Sequence, residues 1–343
     1  MVAAVKSDPL HHLDIPTPEA GEIVKIADDL LWYKFDLPFR LNHINLFALD
    51  TNDGWMLIDC GINSKQMAAQ WDAILPQLEA QAPIAGIIVS HHHADHIGYA
   101  GALAARTGAP IYIGEIEHDM ARWALAQSAE SFSDIAAGTY ANFGLADELI
   151  TRTSSIGNYY RQLVGDFPEA QLIAHDHRFT SKSGEWQVRF DAGHAPGHLG
   201  LFDSQRQIYI AVDFLLGRIS PNISVGLRDP NADVLAHYYT YLGGVDDLSP
   251  DWRIICGHDW HYFDGARRAR QLIDHHDMRL NQLRDAKAAL STADAMSRLF
   301  VMELTDHEVY FASCEARAHL NHLVTLGDMS REIENGVAIF HPT

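Results

Sequence analysis

Cysteine is scarce in this chain of 343 residues: Cys60, Cys256 and Cys314 are far apart and form no C-x-x-C. That excludes a disulfide scaffold, makes a cytoplasmic setting the default, and reads the thiols as small buried hydrophobes. No apolar run approaches the ~20 residues that span a bilayer, and Met1 to Leu13 shows no secretory pattern. Positive charge is scarce too, with 25 Lys and Arg against 45 Asp and Glu and a formal charge of −20. Broad phosphate tracking needs clustered Lys and Arg, so nucleic acid is disfavoured as a partner. There is no internal repeat and no low-complexity linker. A hydrophobic content of 47% excludes a disordered chain. The length fits two domains, or one large core with an appendage.

What the chain does have is 21 histidines and an α/β pattern. Asn45–Leu49 and Trp55–Asp59 are strand-like runs separated by turn formers, which predicts a hairpin. Ser64 to Ala80 has helical spacing with Ser64 as N-cap, and Ile84–Val89 reads as a buried strand. A helix from Ile97 to Thr107 and a strand over Pro110–Ile113 follow. Residues 115–168 read as helical and rich in aromatics. Further strands are predicted at Trp186–Phe190, Gly200–Phe202, Gln207–Val212 and Arg253–Cys256. From Asp264 the pattern changes to helices over 264–290, 291–303 and 312–327, and then a terminal strand over 336–340.

Chemistry concentrates in Ser90-His91-His92-His93-Ala94-Asp95-His96, directly after a buried strand. Zinc takes neutral imidazole nitrogens and carboxylate oxygens. In extended backbone His91 and His93 point to one side and serve one ion together. Asp95 and His96 turn toward a second. His198 in Gly193-His194-Ala195-Pro196-Gly197-His198, Asp213 after Ala211-Val212, and His258 after Cys256-Gly257 each lie next to a strand-like run. Of the two histidines in the Gly-Pro segment, His198 is the expected ligand, and His194 is expected to support the site from behind.

Asp59, His91 to His96, His198, Asp213 and His258 together resemble the five signature motifs of the metallo-β-lactamase superfamily, over about Ile44 to His258. The resemblance implies an αββα sandwich with a dinuclear metal site at one edge. Carried over by position, it gives His91, His93 and His198 to the first ion and Asp95, His96 and His258 to the second. Asp213 would bridge the two, and Asp59 would orient the metal loop by hydrogen bonds. The ions would be two Zn2+ per chain, with iron or manganese as alternatives. Residues 1–263 would form the catalytic domain, with 115–168 as a helical lid. Residues 264–343 would form a winged-helix-like tail, similar to that of the lactamase-β-like branch. The tail's apolar face and that likeness point to a homodimer.

Such a site implies metal-assisted hydrolysis. A hydroxide bridging the ions would attack a small ester, lactone or thioester, with Asp95 and Asp213 as the catalytic carboxylates and no Ser or Cys nucleophile. Departures from subfamily patterns narrow the substrate. True zinc β-lactamases replace the bridging Asp by Cys or Ser. Acyl-homoserine lactonases usually carry Tyr where this chain has Leu216. Glyoxalase II has a basic C-terminal site that finds no match here, and flavodiiron proteins carry Glu at the position of His93. Tyr159, Tyr160, Trp260 and Tyr262 are candidates for substrate contact, with an aromatic-core role as the alternative for the first two. On the same fold, a mononuclear iron persulfide dioxygenase and an endoribonuclease are the competing functions.

Overall fold

The computed structural model describes residues 9–343; the expectation for the first eight residues lies outside it. The first sheet is formed by β1 (Val24–Ala27), β2 (Leu30–Asp36), β3 (His43–Thr51), β4 (Gly54–Ile58), β5 (Ile84–Val89), β6 (Ile111–Gly114) and β7 (Gln171–Ile173), in that order. Pairing is antiparallel to β4 and parallel from there on. The second sheet runs in reverse order, from β13 to β8. Its strands are β8 (Arg178–Thr180), β9 (Glu185–Asp191), β10 (His198–Asp203), β11 (Ile208–Val212), β12 (Arg253–Cys256) and β13 (Tyr262–Phe263).

Strand alternation explains why these runs are apolar on both faces. In β4, Met56 and Ile58 face the second sheet while Trp55 and Leu57 face outward to helices. In β11, Ile208, Ile210 and Val212 face the first sheet, and Tyr209 and Ala211 face the opposite helix layer. The outer layer on the first sheet includes α1 (Lys65–Glu79), capped by Ser64, the single turn α2 (Ala94–Ile97) and α3 (Ala100–Thr107). The result is the expected αββα sandwich.

The helix predicted from Ile97 is divided. The N–H of Tyr99 leaves the helical ladder and donates to Gly61 O at 2.8 Å, which ties the metal-loop segment to the end of β4. Residues 115–168 form α4 (Glu115–Ala126), α5 (Ala129–Asn142), α6 (Asp147–Ser154) and α7 (Tyr159–Leu163). α8 (Val234–Asp246) and β2 escaped the sequence reading, and both are buried elements without sharp periodicity.

The tail runs α9 (Gly265–Arg284), β14 (Leu290–Ser291), α10 (Thr292–Leu299), α11 (Asp306–Thr325), β15 (Met329–Glu334) and β16 (Val337–Pro342). The small sheet has the order β14-β16-β15, which is a winged-helix arrangement. Its apolar face is covered within the chain: Leu272, Leu280, Leu320 and Phe340 share one cluster with Tyr209, Phe214 and Tyr241. Elsewhere in the tail Met278, Val301, Met302, Leu326 and Ile333 are exposed.

Three of the buried imidazoles in this tail, His275, His276 and His319, lie ring against ring. Burial, with Arg279 nearby, holds His319 down to about 3 and His275 to about 4, and burial with His319 holds His276 well below its ordinary value. Unfolded histidine titrates near 6.5, so between that pH and about 4 only the unfolded chain binds these protons. Stability is complete above pH 6.5 and falls on acidification, by about 1.4 kcal/mol per pH unit for each such histidine. Urea melts at pH 7, 6 and 5 should show this slope, and His319→Gln should lower it by about one proton's worth.

Candidate metal centre

Every candidate ligand sits at the same end of the sandwich. β4, β5, β11 and β12 finish there, and the antiparallel β3 and β10 begin there. Three left-handed residues re-aim the chain at this end: Asp59 directly after β4 (φ 62°), Val212 closing β11 (φ 47°) and Asp259 three residues past β12 (φ 61°). For a β-branched residue such as Val212 this conformation stores about 1–3 kcal/mol. It turns Asp213 inward beside Gly257. A Cβ on Gly257 would lie 2.4 Å from Asp213 Oδ1, so the close approach of the two loops requires glycine.

Partners behind the imidazoles fix their tautomers. Asp59 Oδ2 accepts from His96 Nδ1 and from Ser90 Oγ, each at 2.8 Å, and Asp59 Oδ1 accepts from Ser90 N at 2.8 Å. With its proton committed to Asp59, Ser90 Oγ accepts from His91 Nδ1 at 2.9 Å. His258 Nδ1 donates to His43 O at 2.7 Å, and His194 Nδ1 donates to Asn222 O at 3.0 Å. Each of these four rings therefore turns its Nε2, the atom not used by the partner behind it, toward the inside of the site, the orientation in which a neutral ring ligates metal.

These Nε2 atoms and two carboxylates converge. Asp213 Oδ2 lies 3.3 Å from His258 Nε2, 3.4 Å from His96 Nε2 and 3.6 Å from His194 Nε2. Asp95 Oδ2 lies 3.5 Å from His258 Nε2, and His91 Nε2 lies 3.0 Å from His93 Nδ1. Asp213 Oδ1 and the Nε2 atoms of His96, His194, His198 and His258 are buried without a hydrogen-bond partner. Five orphaned polar atoms in one place suit a bound cation, because a buried polar group without a partner is costly.

Three overlapping groups have ligand atoms within 4.8 Å of one another: His91, His93 and His194; His91, His96 and Asp213; and Asp95, His96 and His258. The expected grouping changes at one position. Among the described residues His194 joins His91 and His93, and His198 joins no such group. The ring of His198 lies against Phe214, centroids 4.3 Å apart. Each histidine follows a glycine and lies two residues from Pro196, so the spacing alone did not separate them.

Charge divides the centre in two. Burial first, then neighbouring imidazoles, pushes His91, His93 and His198 well below the usual histidine range, and burial lowers His194. These are neutral donors. Burial also works against the anion of Asp213, yet His258 and His96 outweigh it and hold its carboxyl well below the carboxylate range. In return, and against its own burial, His258 is lifted by Asp213 to about 10. The end with two carboxylates demands positive charge.

The aromatic candidates divide as well. Tyr262 is buried, its hydroxyl donating to Leu215 O at 2.9 Å, so it faces the core and not a substrate. Tyr160 donates to His92 O at 2.7 Å and is a structural contact. Tyr159 opens α7 half-buried, and Trp260 is half-buried between His12 and Arg218. Asn45 was missed by the sequence reading. Its Nδ2 donates to Cys256 O at 3.0 Å and to Asp259 O at 2.9 Å, which brackets His258. Nothing local marks an asparagine in a strand for that role.

A second buried group, His276, Glu315 and His319, lies between α9 and α11. There the positive charge is already supplied by Arg279, which donates to Glu315 at 2.5 Å. His276 Nδ1 donates to His319 Nε2 at 3.2 Å, and His319 Nδ1 donates to Glu315 O at 2.8 Å. Hydrogen bonds within the group hold it together.

Comparison with known proteins agrees with this fold. The family model described as metallo-beta-lactamase superfamily matches residues 40–258, and one described as metallo-beta-lactamase-like, C-terminal domain, matches residues 280–343. A solved beta-lactamase domain protein from Burkholderia ambifaria is 30% identical, with a TM-score of 0.89 over 97% of this chain and 98% of its own. A metallo-beta-lactamase family protein from Thermus thermophilus shares the fold at 21% identity, with a TM-score of 0.77 over 93% of this chain and 100% of its own. An uncharacterized protein of Aquifex aeolicus is 22% identical over 216 residues, covering 60% of this chain and 86% of that protein.

Asp59 is the partner that binds the metal loop to β4. Asp59→Ala leaves the buried Ser90 N–H without an acceptor and should lower the stability of the metal-free protein by about 1–3 kcal/mol. Denaturant melts of the two proteins, both stripped with chelator, check this.

Proposed function

We propose that this chain, which belongs to the metallo-β-lactamase superfamily of metal-dependent hydrolases, cleaves a small ester, lactone or thioester at a centre for two divalent ions, zinc by preference. The observation that carries the reading is Asp213 Oδ2, within 3.6 Å of three imidazole nitrogens whose tautomers are fixed from behind. We assign His91, His93 and His194 to the first ion and Asp95, His96 and His258 to the second, with Asp213 between them. His194 takes the place expected for His198 because it is the residue grouped with His91 and His93.

Ions bound there supply Lewis acidity, bringing the pKa of a water from about 16 to about 7 and polarising a carbonyl oxygen. The protein's own part is placement and charge. Asp213, at 8% side-chain exposure, is the fixed anion of the site. Asp95, at 22%, is the carboxylate that solvent reaches, and we assign to it the hydrogen bond that orients the attacking water. Asn45, His43 and Asp59 hold the loops so that little reorganisation accompanies the reaction.

Two competing functions lose support. A persulfide dioxygenase of this fold uses one iron on two His and one Asp, whereas here the donors converge in three overlapping groups. An endoribonuclease would use the winged helix to reach nucleic acid. In this chain α11 is buried continuously from Ala312 to Leu323, so that helix has no free face for a groove. No helix among the described residues is long and apolar enough to cross a membrane.

The test is a panel of lactones, thioesters, aryl esters, a β-lactam and a short RNA, given to metal-loaded and chelated protein. Turnover is expected in one small-carbonyl class. Chelation or Asp213→Ala should reduce it by at least about 100-fold, since partners behind a metal ligand are themselves worth 10–100-fold. Turnover of the RNA alone would overturn the reading. The ligand exchange has its own check: His194→Ala should lose bound metal by elemental analysis, and His198→Ala should retain it.

A further inference from the structure

Glu117, in the first turn of α4, is a completely buried carboxylate outside the set of metal donors. Its Oε2 accepts from the backbone N–H of His92 at 2.8 Å and from His92 Nδ1 at 2.5 Å, and its Oε1 accepts from the N–H of Gly197 at 2.6 Å. Those donors lie on separate loops. His92 stands between His91 and His93, and Gly197 lies in the short loop that carries His194. Hydrogen bonds to an ionised carboxylate are stronger than neutral ones, and a buried N–H deprived of its acceptor costs the full desolvation of that group.

Two neighbouring features belong to the same contact. A Cβ on Gly197 would lie 2.8 Å from Ile116 Cβ, so the loop reaches the helix only with glycine there. From α7, Tyr160 donates to His92 O at 2.7 Å. The backbone N–H and C=O of His92 are therefore both held by the helical insert. The insert expected to form a lid is thus bonded to both loops.

We propose that Glu117 is a positioning residue: by joining the His91–His93 loop to the His194 loop, it sets the distance between the donors of the first ion and hence the affinity for that ion. The proposal rests on the metal-centre reading above. Glutamine at this position keeps one acceptor oxygen and turns an NH2 toward a donor, so it can serve one loop but not both.

The test uses the full chain, stripped of metal and then titrated with Zn2+ against a chromophoric chelator. A parallel titration with Co2+ reads ligand geometry from its visible absorption, and melts of the metal-free proteins read stability. E117Q is expected to weaken one zinc equivalent by about 10- to 100-fold and to alter the cobalt spectrum, leaving the other equivalent close to wild type. Tyr160→Phe removes a single hydroxyl and should shift the same equivalent in the same direction by less. E117Q and Tyr160→Phe that titrate like wild type overturn the proposal, even if their melts show lost stability, because a purely structural role moves only the melts. Wild-type protein that takes up no metal overturns the metal-centre reading instead.

Discussion

Two carboxylates, Asp95 and Asp213, lie among imidazoles at one rim of the sandwich, and the surrounding structure answers their charge. Burying an anion is tolerated only where opposite charge and hydrogen bonds compensate. Here the compensation comes from His96 and His258, both raised above their ordinary pKa by these carboxylates. Those imidazoles must in turn be held from behind, by Asp59 and by the carbonyl of His43. The chain of support ends in backbone. Asp59 N donates to Ile88 O at 2.9 Å, and Asn45 N donates to Gly257 O at 2.7 Å. One sheet thereby fixes the loops of the other.

The tail takes part in this support. The segment after Asp213 runs through Phe214, Leu215 and Leu216 to Ile219, and its carbonyls need donors. Tyr238 donates to Phe214 O at 2.8 Å and Tyr262 to Leu215 O at 2.9 Å. The buried guanidinium of Arg268, from α9, donates to Leu216 O at 2.7 Å and to Ile219 O at 2.8 Å. Arg317 of α11 bonds Asn142 of the insert at 2.7 Å while its guanidinium lies over Phe143. The winged-helix arrangement is thus used from the inside, its central helix as a buried strut.

Legibility of the sequence followed the range of the interaction. Strands β4, β5 and β11 were readable because burial on both faces leaves an unbroken apolar run bounded by turn residues. The His91–His96 segment was readable because its donors are adjacent in sequence. α8 was not: its Tyr238, Tyr241 and Leu242 are buried, but its neighbours are mixed and its cap, Asp233, is an ordinary loop residue. The start of α11 was placed six residues late, at 312, although Thr305 and Glu308 form a capping box there. Between His194 and His198 the sequence offers no criterion, and only the fold shows that the ligand atom of His194 falls in one group with those of His91 and His93 while the His198 ring lies 4.8 Å from the ring of His91.

Glu117 marks the limit of that kind of reading. An acidic residue in the first turn of a helix is ordinarily explained by the helix dipole, and the dipole account is complete on an exposed surface. It fails here because the carboxylate is wholly buried and all three of its donors belong to loops outside its own helix. Those loops are more than 100 positions apart in sequence and share no pattern except that each carries a candidate metal ligand. Only the closed fold brings His92 and Gly197 to the two oxygens of one side chain. A residue that joins loops from the two sheets is constrained by both, whereas each loop alone is constrained only by its own strand. The donors are the part of a metal centre that a motif describes, and their spacing depends on side chains outside the motif.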